Sequence, residues 1–580
     1  MYFSGPPCLL LLILVLLLPA SCGQKAQAIA PPRYAVLRFE NLSGDPSLDW
    51  VGRAVSESLP VSLAGVLDGP VLESEAFGRL AATLGPRPAG APGESAERSE
   101  AMAAGATHTI SGYIERIGGK IRISATEEDL STNKSVRTLT ASAPSPLAAI
   151  QDLARQFSPN AHPGLTANEA ALNAYSTAFE AAAQTKPGEL DRALELDPNF
   201  GAAWVALAGF DAASGDRAKA EEVMDRARKQ QIDARSRANI EFGEASLKGD
   251  RPASLAAMRR IVELSPGDTI LLRSLAESES AAGDFKSAAA DWKKAIDVLP
   301  NDALAWNSLG YARSWAGDYA GALAAFREYE RLRPKEANPL DSIGDLNYSF
   351  GKYAAAAENY LEANKRQPGF EQFADLYKAA WAKFRAGDKA GADALFAQFR
   401  KERGKSPDPL LGLLEGDWLY RTGREKEAAD VVNKMIAASQ SGPVRADAYA
   451  QLTIWDLLGG DRDKAARDSA AIGQAATPAV FMARFAALPS APAAEWKTRA
   501  EKMLPATAET LRLTAEGYAL LLDHQREAAI PVWQDVVKST SATDFFGRAI
   551  LARLKGQPIA RSLVPDPTML NQFAALLDTL

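Results

Sequence analysis

The chain of 580 residues contains only two cysteines, Cys8 and Cys22, and three histidines, His108, His162 and His524. Both cysteines lie near the amino terminus, so no disulfide framework can hold the rest of the chain together. The histidines are far apart in sequence and no cysteine pair accompanies them. The residue types that bind zinc or haem are therefore almost missing, and the sequence predicts no metal site and no cofactor.

Motifs for phosphate binding and nucleophilic catalysis are missing as well. The sequence has no Gly-x-Ser-x-Gly elbow, and Gly118-Gly119-Lys120 lacks the upstream glycine of a phosphate-binding loop. Ser131 and Lys134 have Ser-x-x-Lys spacing, but no Lys-Thr-Gly accompanies them. We therefore predict that the protein is not an enzyme.

Neither sign of charge is concentrated in one block of the chain. The 65 Lys and Arg residues against 72 Asp and Glu residues give a net charge of −7. Nucleic-acid-binding proteins carry a basic patch or stripe. None stands out here, so the sequence predicts no nucleic-acid partner.

Long apolar runs are also scarce, and the one clear case is Leu9 to Leu18. About ten residues are too few to span a hydrocarbon core about 30 Å thick, and such a run is typical of an export signal. We therefore predict that residues 1–22 are a signal peptide and that the protein is located in the periplasm or cell envelope.

Cys22 follows Ala20 and Ser21 directly after that run. This arrangement resembles the processing site of bacterial lipoproteins, which implies a lipid on Cys22 and attachment to a membrane through that lipid alone. Pro19 departs from the family pattern. The alternative is ordinary signal cleavage nearby, with no lipid on the cysteine.

What the sequence does contain is a repeat. Glycines recur every 34 residues, at Gly215, Gly249, Gly283, Gly317 and Gly351. Prolines keep the same period with one copy missing, at Pro198, Pro266, Pro300, Pro334 and Pro368. A fixed period of this size indicates stacked copies of one supersecondary unit.

One copy, Ala303 to Glu336, shows the unit. Two apolar stripes with helical spacing flank a break at Gly317, and a proline ends the second stripe. The residues that define the copy are Trp306, Leu309, Gly310, Gly317, Tyr319, Ala322, Phe326, Tyr329 and Pro334. Each copy is therefore predicted to be a helical hairpin that buries its apolar faces against its neighbours.

These residues resemble the tetratricopeptide repeat (TPR). Copies beginning at Gly201, Thr269 and Ala337 keep much of the same pattern, and the spacing loosens towards the end of the chain. The resemblance covers about 165–555. It implies a mainly α protein, a right-handed solenoid of about ten hairpins, with residues 556–580 as a tail or capping helix.

Residues 33–157 lack the repeat and predict a small α/β domain. The predicted strands and helices are Tyr34–Phe39, Leu48–Leu67, Thr109–Ile117, Lys120–Glu127, Ser135–Ala141 and Ala148–Phe157, with a loop at Pro86–Glu94. The opening "YAVLRFENLSGDPSLDWVGRAVSESL" resembles the TolB-like amino-terminal domain. That resemblance implies a role in assembly or interaction within the cell envelope and supplies no catalytic motif.

The TPR resemblance implies that set positions of each first helix line an inner groove. In this sequence they are Arg273, Glu277, Asn307, Tyr311, Trp315, Asp341, Asp345, Tyr348, Tyr377, Trp381 and Arg385. Aromatic residues and arginine are typical interface anchors. The alternative is that Trp315 and Trp381 pack against the next repeat. Trp306, by contrast, is predicted to belong to the core.

The groove residues also bear on the partner. Members of the family that bind an acidic peptide terminus use Lys and Asn at positions where this sequence has Asn307 and Tyr311. A neutral or basic extended segment, or a folded partner, is therefore favoured. The predicted function is an exported scaffold for protein–protein interactions in the bacterial cell envelope. The alternative is a regulatory protein in which the α/β domain binds a ligand and the repeats relay it.

Overall fold

A computed structural model describes residues 31–72, 97–179, 185–265, 268–473, 477–559 and 571–580. The predicted signal peptide with Cys22 and the predicted loop Pro86–Glu94 lie outside these ranges. Across the described residues, no helix combines the length and the apolar character that crossing a membrane requires.

The amino-terminal part is a six-stranded sheet covered by helices. The strands are β1 (Tyr34–Val36), β2 (Glu40–Asn41), β3 (Val71–Leu72), β4 (His108–Ile117), β5 (Lys120–Asp129) and β6 (Lys134–Ala143). Their order is β3-β1-β4-β5-β6, and β2 also pairs with β4. The pairs that include β1 or β2 are parallel, and β4, β5 and β6 form an antiparallel meander.

Among the residues that the structure describes here, three helices accompany the sheet, α1 (Asp49–Leu63), α2 (Arg98–Ala103) and α3 (Pro146–Phe157). Apolar residues of α1 and α3 share a core with one face of β4 and β5, and α2 packs near β1 and β3 on the other side. The three long strands β4, β5 and β6 and the helices α1 and α3 lie where they were predicted, with small shifts at their ends, whereas β2, β3 and α2 were not predicted. Gly118 and Gly119 take φ values of 57° and 76° in the β4–β5 turn.

The first strand differs from its prediction, because it stops at Val36 instead of Phe39. Val36 pairs with Ile110 and Glu40 pairs with Tyr113. Between these two pairs, the segment from β1 to β2 therefore contains one more residue than the facing part of β4. The extra residue forces Leu37–Phe39 out of regular pairing, as in a β-bulge.

The rest of the chain forms eleven successive helix pairs in the described residues, and in all but the tenth pair the two helices pack closely on each other as a hairpin. Their paired helices are α4 (Glu169–Ala178) and α5 (Pro187–Leu196), α6 (Gly201–Ala213) and α7 (Arg217–Arg228), α8 (Ala234–Lys248) and α9 (Arg251–Glu263), α10 (Thr269–Ala282) and α11 (Phe285–Val298), α12 (Ala303–Trp315) and α13 (Tyr319–Leu332), α14 (Asn338–Ser349) and α15 (Tyr353–Arg366), α16 (Ala374–Arg385) and α17 (Lys389–Arg403), α18 (Leu411–Arg421) and α19 (Glu425–Ala438), α20 (Gly442–Leu458) and α21 (Arg462–Ala470), α22 (Pro478–Ala486) and α23 (Ala493–Met503), and α24 (Glu509–Leu522) and α25 (Arg526–Ser539). Two single helices follow, α26 (Phe545–Leu554) and α27 (Ala574–Thr579). The predicted fold class, a helical-hairpin solenoid preceded by a small α/β domain, is confirmed.

The periodic glycines lie at the turn inside each hairpin. Gly317 has φ of 84°, a left-handed conformation that glycine adopts without the steric cost of a side chain. Asp318 follows it, and its carboxylate accepts a hydrogen bond from the backbone N–H of Gly321. The same Gly-Asp turn and aspartate cap begin α7, α9, α11, α17 and α21. The turn dipeptide thus ends one helix and starts the next.

A second glycine position brings the two helices of a hairpin together. A Cβ atom at Gly310 would lie 2.3 Å from the ring of Phe326, and one at Gly344 would lie 2.4 Å from the ring of Tyr360. Only glycine leaves room for the aromatic residue of the second helix. This contact explains why glycine and an aromatic residue recur 16 positions apart in these two copies.

The sheet domain and the hairpins share their core. Leu59 and Leu63 of α1 belong to the same apolar cluster as Leu172 and Tyr175 of α4. The sheet domain also reaches further along the array, because Arg33 Nη1 donates to the carbonyl of Val298 at 2.9 Å. The sheet domain is therefore packed against the array at two separate places.

The array curves so that the segment after α25 contacts the ends of α10 and α12. The backbone N–H of Ala542 donates to the carbonyl of Ala281 at 2.8 Å. The rings of Phe545 and Trp315 lie 5.6 Å apart. Six helix pairs lie between α10–α11 and α24–α25, so this contact closes a ring whose inner face is formed by first helices of the pairs.

Candidate functional site

The inner face of α10, α12, α14 and α16 holds the predicted groove residues, and the structure sorts them into a polar cluster, an aromatic core and an open rim. The polar cluster consists of Tyr311, Asp341, Asp345, Tyr360, Asp375 and Lys378. Lys378 Nζ lies 2.8 Å and 3.0 Å from the two oxygens of Asp341 and 3.1 Å from Asp345 Oδ1. The hydroxyls of Tyr311 and Tyr360 each donate to Asp345 at 2.9 Å. The cluster joins three successive hairpins.

The polar cluster has three carboxyl groups and one lysine. Asp341, Asp375 and Lys378 are all buried. Burial, together with the charge of Asp345, raises the pKa of Asp341 well above its usual value. Burial also raises the pKa of Asp375 to about 6, opposed by Asp341 and Lys378. Burial therefore favours the protonated form of both Asp341 and Asp375.

The polar cluster does not have the geometry of a metal site. In the part of the chain that the structure describes, no group of three or more His, Cys, Asp or Glu side chains is placed to hold a metal ion.

Replacing Asp375 by Asn should stabilise the protein above pH 6. The folded state binds a proton at Asp375 more tightly than the unfolded state does, so the wild type loses stability as the pH rises from about 4 through about 6. The neutral amide removes this loss. We expect Asp375→Asn to raise the free energy of unfolding by about 1–3 kcal/mol at pH 7.5, with the difference disappearing near pH 4.

Urea denaturation at the two pH values measures this difference. Asp535→Asn, which changes an exposed carboxylate on α25, is the matched control and should leave the midpoint unchanged at both pH values. A loss of stability in Asp375→Asn at pH 7.5 would show that the ionised carboxylate supports the fold instead of straining it.

The aromatic core contains the predicted anchors Tyr348, Tyr377 and Trp381. Their prediction as exposed groove residues is wrong. Trp381 is 1% exposed and Tyr377 is 2% exposed. The ring of Trp381 lies 4.8 Å from that of Trp418 on the next first helix. Tyr377 and Trp418 also stack with Phe399 and Phe396 of α17. These aromatic side chains fill the space between two hairpins, and Ala575 from the end of the chain packs in the same apolar cluster.

Trp306 shows the reverse deviation from the sequence analysis. It was expected in the core, yet it is partly exposed at the edge of its apolar cluster. Its indole N–H donates to the carbonyl of Pro300 at 2.9 Å. Trp204 makes the same contact with Pro198 at 2.8 Å. In these two copies the tryptophan ties the start of the first helix to the preceding proline turn.

Trp315 is partly exposed and lies where the ring closes. Its ring is 5.6 Å from Phe285, 5.8 Å from Tyr311 and 5.6 Å from Phe545. Phe545 comes from α26, far along the chain. Trp315 therefore packs in the contact that closes the ring. The sequence analysis had considered only a groove position or packing against the next repeat.

The open rim consists of the remaining predicted residues near the start of the groove. Arg273 is partly exposed and pairs with Asp302 at 3.3 Å. Glu277 is exposed, and Asn307 accepts a hydrogen bond from Ser342 at 2.9 Å. Leu304, on the same turn of α12 as Asn307, is 59% exposed. This rim is the part of the predicted groove that remains accessible.

Sequence reasoning missed a second charged group at the far end of the groove. Arg421 of α18 pairs with Asp417 at 3.2 Å and lies 4.4 Å above the Trp381 ring. Burial raises the pKa of Asp417 to about 6, and Arg421 opposes the shift. The i, i+4 spacing of Asp417 and Arg421 was the available signal. This spacing alone did not place the pair in the groove, because the repeat pattern that defines groove positions loosens in that region.

The same charged group binds a segment of this chain. Asp578 lies 2.7 Å from Arg421 Nε and 3.4 Å from Arg385 Nη2. We call residues 571–580, which contain α27, the groove segment. The groove segment therefore covers the inner face at Arg421 and at the predicted groove residue Arg385.

Comparison with known proteins agrees with the repeat. Residues 273–337 and 377–443 match the family model described as "Tetratricopeptide repeat". A comparison with curated proteins gives no match. The chain therefore contains tetratricopeptide repeats.

Several solved structures are similar to parts of the chain. The crystal structure of MamA protein is 20% identical, covers 30% of this chain and 92% of its own, and has a TM-score of 0.26. A tetratricopeptide repeat protein from Parabacteroides merdae is 16% identical, with coverage of 42% and 95% and a TM-score of 0.31. PilW, described as a widely conserved type IV pilus biogenesis factor, is 18% identical, with coverage of 35% and 93% and a TM-score of 0.27.

Proposed function

We propose that this tetratricopeptide-repeat protein is an exported, non-enzymatic scaffold that binds other proteins through the inner face of its hairpin ring. Repeat solenoids of this kind present extended concave surfaces, and tetratricopeptide-repeat proteins are protein-interaction scaffolds. The observation on which the proposal depends is that the inner face already holds a peptide-like segment. Residues 571–580 lie there through buried apolar side chains and an ion pair.

Partner capture with groove variants tests this proposal. Arg385 is exposed at the edge of the occupied half of the groove, and Arg331 is exposed on α13, a second helix of a hairpin. We expect Arg385→Glu to lose partners that the wild type retains from a cell-envelope extract, whereas Arg331→Glu keeps them. Equal capture by both variants would place the binding surface elsewhere on the molecule.

Point variants suit this test better than removal of the sheet domain. The sheet domain shares its core with the first hairpins, so deleting residues 33–157 would expose apolar surface and create non-specific binding. Full-length variants avoid this artefact.

A second candidate function is ligand sensing by the sheet domain, with the array relaying the signal. The contact of Arg33 with Val298 favours it, because this contact links the sheet domain to α11 of the array. If the domain relays a signal, Arg33→Ala changes which partners the inner face captures. If the array acts alone, Arg33→Ala captures the same partners as the wild type.

The proposed location is the bacterial periplasm or envelope surface, with Cys22 as a lipid attachment site. The support is the sequence of residues 9–22 described above. Mass spectrometry of the mature amino terminus tests it. An acylated Cys22 is expected, together with partition into the detergent phase that Cys22→Ser abolishes. An unmodified terminus beyond residue 22 would exclude lipidation and leave export by ordinary cleavage.

A further inference from the structure

The groove segment has too little structure of its own to be stable away from the array. Its helix α27 spans six residues, Ala574–Thr579. Isolated helices of this length do not persist in water. The conformation of the groove segment therefore depends on the face that it covers, and this part of the molecule should open more readily than the hairpins beneath it.

Apolar contacts hold one side of the groove segment. The ring of Phe573 stacks on that of Tyr518 at 3.8 Å with an angle of 19° between their planes. Phe573 is 1% exposed and Leu576 is 2% exposed. Ala575 belongs to the apolar cluster that contains Trp381. The inner face thus offers an aromatic slot and a leucine pocket to side chains three residues apart, which share one side of a helix.

Charged contacts hold the other end of the groove segment. Asp578 pairs with Arg421 and Arg385, as described above. Arg526 Nη2 lies 3.4 Å from the carbonyl oxygen of Leu580. The groove segment itself contains no lysine or arginine. The face is therefore basic where it meets the segment, and its occupant is a short acidic helix, unlike the neutral or basic extended segment that the sequence favoured.

We propose that the groove segment is a built-in ligand of the inner face, and that the protein partner presents a short helix of the same chemistry. That helix has an aromatic residue, a leucine three positions later, and a carboxylate two positions after the leucine. The inference rests on the proposed scaffold function, because it names the partner segment for the same face. Since the groove segment is tethered to the array, a partner must displace a competitor at high effective concentration.

A fluorescein-labelled peptide with the sequence of residues 571–580 tests the proposal by fluorescence anisotropy. It is titrated with the full chain and with a chain that ends at residue 570. In the full chain, the peptide binds only to those molecules whose groove segment has left the inner face. We expect the shortened chain to bind the peptide about tenfold more tightly or better. Peptides with Phe573→Ala or Asp578→Lys should bind the shortened chain about tenfold more weakly than the unaltered peptide.

A full-length variant provides the test if the shortened chain does not fold. Asp578→Lys places a cation beside Arg421 and Arg385, so it should open the groove and raise the affinity for the peptide. Asp535→Lys makes the same charge change on the exposed surface of α25 and should bind the peptide as weakly as the wild type. Circular dichroism of each protein confirms that the hairpins remain helical.

Equal peptide affinity of the wild type and Asp578→Lys would overturn the inference. So would a shortened chain that keeps its helicity and does not bind the peptide. These results are distinguishable from failure of the scaffold function. If the peptide binds as expected but the open groove captures no envelope protein, the built-in ligand stands and the scaffold proposal fails. If partners are captured equally with the groove covered or open, the scaffold stands and this inference fails.

Discussion

Trp381→Ala is expected to lower the free energy of unfolding by about 3–5 kcal/mol, the usual cost of removing a large buried aromatic side chain. Trp381 is 1% exposed and contacts Trp418 and Phe384, at ring distances of 4.8 Å and 5.8 Å. The rings around it are held by their own hairpins, so they cannot close the cavity that alanine would leave. Arg421 would also lose the ring above which its guanidinium lies.

Urea denaturation followed by circular dichroism measures this loss, and Trp306→Ala is the matched control. Trp306 is partly exposed and sits at the edge of its cluster, so its truncation should cost about 1–2 kcal/mol, from one hydrogen bond and part of its buried area. A larger loss in Trp306→Ala than in Trp381→Ala would restore the original sequence-based assignment, with Trp381 in the groove and Trp306 in the core.

Lys378→Met is expected to lower the free energy of unfolding by about 3–5 kcal/mol at pH 7.5. Methionine keeps much of the length of lysine but not its charge. Asp341 and Asp345 would lose the ammonium group that lies within 3.1 Å of both. A buried carboxylate without a cation is costly to ionise. The loss should shrink as the pH falls, because the carboxyl groups then take up protons and become neutral.

Two comparisons distinguish this electrostatic effect from a packing effect. Lys383→Met, on the same helix α16, removes a lysine that pairs with Asp388 at the partly exposed surface, and should cost at most about 1 kcal/mol. Adding Asp341→Leu to Lys378→Met removes a buried carboxyl group that has lost its cation and should recover part of the lost stability. A loss in Lys378→Met that does not change with pH would mean that the lysine contributes through packing alone.

Both predictions bear on function because the inner face is built on these residues. The aromatic core holds α16 and α18 at a fixed separation, and the polar cluster links α12, α14 and α16. The three arginines that contact the groove segment lie on helices of this same ring. A partner therefore meets a surface whose geometry is set before binding, which limits the ordering cost of association.

The sequence by itself determined the repeat, the hairpin turns of its regular copies and the longer strands and helices of the sheet domain. These depend on local rules. Gly317 and Asp318 end one helix and begin the next whatever surrounds them, because left-handed backbone and aspartate caps are properties of a few adjacent residues. Gly118 and Gly119 specified the β4–β5 turn for the same reason.

Only the tertiary structure decided which groove residues a partner can reach. Periodicity placed Trp381 and Arg385 on the same side of α16, yet Trp418 buries the first and the second stays exposed. The contacts of Asp578 with Arg421 and of Phe545 with Trp315 join residues more than 150 positions apart. No local pattern specifies such contacts, because they depend on how a small rotation at each hairpin accumulates around the ring.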